Sequence, residues 1–216
     1  MITQWNHLSG EERANTLTHF VAFLATCIAA PFLMQAAMRS SLSKPLYDIA
    51  GTALFIIGMG LMYASSTVYH ATTDPIRKAR LRILDHIAIF VMIAGSYSLL
   101  CLSVVGGVLG KGIFIFLWMC VFAGFIGKIY ALGKHPKLSL ALYLAMGWVA
   151  LLMIVPMWRH LSLSAFLWIL GEGVAYTVGA YFFNNDEEHA YYHAVWHLFI
   201  ILGSACHTVA TFLILC

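Results

Sequence analysis

The sequence predicts an all-α protein, a seven-transmembrane helix bundle with its N-terminus in the cytoplasm and its C-terminus outside. Three observations lead there. Of 216 residues, 62% are hydrophobic and 10% charged, with a mean hydropathy of +0.86; a soluble domain is about half apolar and a quarter charged. A chain of this length cannot hide so much apolar surface from water, so its solvent is lipid. Next, seven apolar runs are long enough for ~30 Å of hydrocarbon, which takes about 20 helical residues. Finally, Lys and Arg divide unequally between the connecting segments, which sets orientation.

The runs cover approximately 15–37, 46–69, 83–105, 112–132, 138–158, 163–183 and 190–214, with ends set by charges, Pro and Gly. The polar start "MITQWNHLSGEER" lacks the basic-then-apolar pattern of a signal peptide, so insertion is expected to begin from a retained helix. Short connections make successive helices antiparallel neighbours and leave no room for a soluble domain. Residues 1–216 are therefore expected to form a single seven-helix membrane domain. Period-2 alternation in short segments is missing, which argues against an outer-membrane barrel. Cys27, Cys101, Cys120, Cys206 and Cys216 sit in or near apolar runs without paired spacing and read as packing thiols.

With the N-terminus inside, the inner segments hold Arg13, Arg77, Lys78, Arg80, Arg82, Lys128, Lys134 and Lys137. The outer ones hold Arg39, Lys44, Lys111 and Arg159, a bias of eight to four. The expected location is the cell (inner or plasma) membrane, multi-pass. A net charge of +3, scattered along the chain, excludes nucleic acid as the natural partner.

On this map the membrane-depth polar residues collect at one level. Ser66 and His70 end the second span, Asp85 and His86 open the third, and His193 and His197 open the seventh, all at the cytoplasmic end. Residues i and i+4 share a helix face, so His193 and His197 can reach one ion, and His70 adds a third nitrogen. Three protein ligands with one open position is the catalytic arrangement of zinc, whereas structural zinc is closed by four. A lone histidine on an apolar helix more often packs and hydrogen-bonds; it is the joint placement that favours Zn2+ here. His7, His135, His160 and His189 read as loop or interface residues. His19 and His207 are ambiguous, with His207 too far along the seventh span to share the ion. Glu172, near the middle of the sixth span, is either a proton-handling or substrate-contacting acid or a protonated Glu bonded to a neighbouring helix backbone. Asp48 reads as an interfacial residue.

The motifs "EERANTLTH", "SSTVYH", "RILDHIAIFVMIAGSYS", "GVAYTVGAYFF" and "HAVWHLFIILGSACH" run nearly end to end. In them the chain resembles the hemolysin III family, the bacterial branch of the progestin and adipoQ receptor (PAQR) group, whose wider superfamily includes alkaline ceramidases. The resemblance implies zinc bound by His70, His193 and His197, a metal-bound water held by Asp85, and Ser66 as the partner serine beside it. It also implies a cytoplasmic N-terminus. Two departures stand out: "AGSYSLL", where a Thr-Pro is expected after the Tyr, and Glu172, where the family tends to have Gly.

An open zinc position lowers the pKa of bound water and polarises a carbonyl. The seventh span has no Glu after its first His, so Asp85 is the available base. The expected activity is a zinc-dependent membrane hydrolase acting on an amide or ester bond of a lipid, ceramidase-like, with the membrane and a lipid substrate or ligand as partners. The alternatives are a receptor-like protein in which zinc staples helices, a membrane-perturbing or pore-forming hemolysin, and, less favoured, a proton or ion transporter. Ligand identity alone does not separate hydrolysis from stapling, and nothing in the sequence sets an oligomeric state.

Overall fold

The computed structural model describes residues 5–40, 42, 44–130 and 136–216, with the side chain of Pro136 left out; Lys134 and His135 fall outside the described residues. Among the described residues, seven helices are long and apolar enough to cross a membrane: α1 Gly10–Arg39, α2 Pro45–His70, α3 Pro75–Val105, α4 Gly107–Tyr130, α5 Lys137–His160, α6 Leu163–Asn184 and α7 Tyr192–Leu215. No strand occurs among the described residues. Helices are the only open-ended elements that satisfy their own backbone in hydrocarbon, so this chain of apolar runs is a multi-pass membrane bundle.

Two helices begin well before their apolar runs, because caps rather than hydropathy set the start. The Ser9 side chain accepts from the Glu12 amide, and Asp74 accepts from the Arg77 amide with Pro75 following. The early starts have consequences. Glu11 and Glu12 become first-turn residues of α1, and Asp85 lies about three turns inside α3 rather than at its mouth. α3 ends in a π-helical stretch, Leu100–Val105, and Gly106 and Gly107 then turn the chain with φ of 59° and 57°, a region that favours glycine. α5 tightens to a 3-10 stretch over Val149–Met153. Pro156, one turn on, has no amide to donate back to Leu152.

α3 is the most enclosed span and α5 the least. α2 packs along α3, α1 packs along both α2 and α7, and α6 packs on α7. The last helix thus returns beside the first two. The α2–α3 seam is set by close backbone approach. A Cβ on Gly51 would lie 2.6 Å from the Leu99 Cα, one on Gly58 3.0 Å from the Met92 Cα, and one on Gly95 2.6 Å from the Leu54 carbonyl oxygen. Small residues at such seams let membrane helices approach, and here they lock an antiparallel register in which facing residue numbers sum to about 150.

That register makes a prediction. Gly95→Ala places a methyl against backbone that cannot yield, and overpacking of this kind costs about 1–3 kcal/mol. Gly112, whose Cβ would meet nothing within 4 Å, is the matched control. Thermal unfolding in detergent is expected to fall for Gly95→Ala and to stay level or rise for Gly112→Ala.

Candidate metal centre

The α2–α3 register that faces Gly58 with Met92 also faces Ser66 with Asp85, one turn before His70. From the other side, α7 brings His193 and His197 against α2. The ligand atoms of His70, His193 and His197 all lie within 4.8 Å of one another. Their ring centroids form a near-equilateral triangle, 5.1 Å, 5.2 Å and 4.8 Å on a side. His70 and His197 are fully buried, and His193 is partly so. The three imidazoles could hold one metal ion.

Each ring is oriented through its Nδ1. His70 Nδ1 is 2.6 Å from Glu12 Oε2, and His193 Nδ1 is 2.6 Å from Asp186 Oδ2. His197 Nδ1 is 3.1 Å from Thr18 Oγ1. The Thr18 hydroxyl donates to the Ala14 and Asn15 carbonyls, so it accepts from His197. All three rings therefore carry their proton on Nδ1 and present the Nε2 lone pair. His70 Nε2 is buried with no hydrogen-bond partner. A buried unpaired nitrogen is costly; a metal ion satisfies it. Oxygen partners on the far nitrogen of ligating histidines are the usual support of such a site. The residues fit a metal.

Asp85 is buried with Ser66 as its side-chain neighbour, and His193 and Lys128 lie within electrostatic reach of its carboxylate. Glu12 does double duty, since its Oε1 pairs with Lys78 Nζ at 2.9 Å. Glu11, next to it, accepts from the Tyr191 amide at 2.6 Å. Tyr191 is the N-cap of α7 and sits at φ 63°, an uncommon conformation for a residue with a side chain. A Cβ on Gly10 would meet its hydroxyl at 2.7 Å. The first turn of α1 thus clamps both the end of α2 and the start of α7.

Not every expected polar residue joins the site. His86, adjacent to Asp85, turns away: Lys128 Nζ is 2.9 Å from its Nδ1 and donates to Ser139 at 2.6 Å. His207 is apart from the triad and pairs with Glu172 at 2.7 Å, so the mid-span carboxyl has a neighbouring imidazole, not a backbone group, as its partner. His19 stacks on His197 with centroids 3.5 Å apart. Asp48, expected at the interface, is wholly buried. Glu12, Thr18 and Asp186, which orient the three rings, are not marked by sequence spacing. Glu12 and Thr18 lie in "EERANTLTH" and Asp186 in the acidic loop "NNDEEH", and acidity or a shared motif was the only signal available.

A seven-helix membrane protein with a buried three-histidine cluster is the class that this geometry defines. Residues 8–208 match the family model described as haemolysin-III related. The chain belongs to that family, within the bacterial branch of the PAQR group. It is 34% identical over 195 residues to the hemolysin-3 homolog of Bacillus subtilis (strain 168), covering 90% of each chain. It is 31% identical over 204 residues to hemolysin-3 of Bacillus cereus, covering 94% of this chain and 91% of the relative. The human monocyte to macrophage differentiation factor is 27% identical over 207 residues, covering 93% and 82%. No solved structure matches the chain significantly.

Support of the far nitrogens is worth about 10–100-fold in metal affinity. Glu12→Gln and Asp186→Asn are each expected to weaken metal binding by that factor, read by competition with a chelating dye. His207→Ala is expected to leave affinity unchanged.

Proposed function

We propose that this protein is a zinc-dependent integral membrane hydrolase that cleaves an amide or ester bond of a lipid, in the manner of a ceramidase. The observation that carries the reading is the triad His70, His193 and His197, with ligand nitrogens within 4.8 Å of one another, and a carboxylate, Asp85, beside Ser66. Three nitrogen ligands leave a fourth position open, which a purely structural zinc seldom does. When bound, zinc would supply a Lewis acid that lowers the pKa of a coordinated water to about 7 and polarises a carbonyl.

The chain's own groups supply the rest. Asp85 accepts the proton of the attacking water as its oxygen bonds to the acyl carbon. It then returns that proton to the departing amine or alcohol as the C–N or C–O bond breaks. Ser66 steadies the carboxylate in line for both transfers. Burial of His70, His197 and Ser66 among apolar helices selects a substrate that arrives through lipid. The eight-to-four Lys and Arg bias supports a cytoplasmic-leaflet position for this end of the bundle.

Several outcomes test the reading. Purified protein is expected to contain about one zinc per chain, reduced strongly in His70→Ala, His193→Ala and His197→Ala and kept in His207→Ala. Occupancy should fall steadily as pH drops, because protons compete for the neutral imidazole that binds metal. Asp85→Asn is expected to keep zinc and fold while hydrolysing a ceramide or phospholipid panel about 10²–10⁴ times more slowly. Wild-type protein that holds zinc but is inactive on every lipid, with Asp85→Asn indistinguishable from it, would make zinc a staple. A reporter after Cys216 should read outside, and one inserted at 71–74 should read inside.

A further inference from the structure

At the other end of α2, Asp48 lies in the first turn, about 30 Å of helix from His70. It is 0% exposed, and neither carboxylate oxygen has a hydrogen-bond partner among the described residues. Thr52, one turn on and on the same face, is also 0% exposed with an unpartnered hydroxyl. Ser103, in the π-helical end of α3, is buried and its hydroxyl is unpartnered as well. The α2–α3 register joins them. Lys44 Nζ donates to the Ser103 carbonyl at 2.8 Å and lies 3.0 Å from where a Gly106 Cβ would be. Gly51 faces Leu99. Asp48, between Lys44 and Gly51 on α2, is therefore level with residues 102–103 on α3, and Thr52 with residue 98.

Two carboxylate oxygens and two hydroxyls are thus buried along one seam, none of them with a hydrogen-bond partner among the described residues. A carboxylate taken wholly out of water needs a counter-charge or a donor. Lys44, the nearest cation along the helix, donates to the Ser103 carbonyl and makes no hydrogen bond to either Asp48 oxygen. An all-oxygen donor set suits a hard cation. The single negative charge matches a monovalent ion; calcium and magnesium sites usually gather more than one carboxylate. π-helical turns such as Leu100–Val105 occur frequently at functional sites. The geometry points to a sodium-binding site formed by Asp48, Thr52 and Ser103 between α2 and α3, at the end of the bundle away from the three histidines.

The test uses full-length protein in lipid nanodiscs. Wild type should bind about one radioactive sodium per chain, displaced by unlabelled NaCl but not by equal KCl or choline chloride. NaCl should raise the thermal midpoint over choline chloride at the same ionic strength, by about 2–4 °C at well-saturating salt. Thr52→Val and Ser103→Ala, both small changes, should weaken binding several-fold. Asp48→Asn should abolish it, and His193→Ala should leave it intact, which separates this site from the metal centre. Folded wild type without potassium-resistant sodium binding overturns the proposal, as does equal binding in Asp48→Asn. A Lys44→Gln variant that gains sodium binding where wild type has none also overturns it, because the Lys44 ammonium would then be the counter-ion.

Discussion

The bond between His70 Nδ1 and the Glu12 carboxylate is the contact on which the centre depends most. The His70 ring is buried, so its N–H must find an oxygen on a neighbouring helix. The oxygen comes from the first turn of α1, and the same carboxylate reaches across to Lys78 on α3. With Glu11 on the Tyr191 amide and Thr18 on His197, α1 ties α2, α3 and α7 together at one end. The polar bonds that orient the rings are also the bonds that fix the helices.

A second constraint, the glycine-lined α2–α3 seam, works along the whole length of the bundle. Backbone approach at Gly51, Gly58 and Gly95 leaves one register available. At one end that register faces Ser66 with Asp85, and at the other it faces Asp48 with the π-helical Ser103. Slippage by a turn would separate both pairs. A seam built for packing therefore positions two polar sites about 30 Å apart.

α7 carries the complementary stripe. His193, His197, Ser204 and His207 recur at helical spacing and meet a different partner at each level. Below the triad Tyr63 hydrogen-bonds Ser204, and deeper still Glu172 pairs with His207. Membership of the haemolysin-III related family covers this whole arrangement, since the match extends from residue 8 to 208. The Glu172–His207 pair joins α6 to α7.

Read alone, the sequence determined the seven helices and their antiparallel order, because apolar length is a local property that lipid reads directly. It also determined that His70, His193 and His197 share a level, since helix rise converts residue number into depth. It could not say which way a ring faces or what holds it. His86 stands next to Asp85 in the chain, yet it turns to Lys128; His19, of no evident role, stacks on His197. Glu12 lies 58 residues from His70 and Thr18 lies 179 from His197, and no spacing rule connects them. Asp48 reads as interfacial from its place near a helix start, and the folded bundle buries it. Depth follows from counting along one helix; lateral partnership is decided by which helices touch and how they are rotated, and that exists only in the folded bundle.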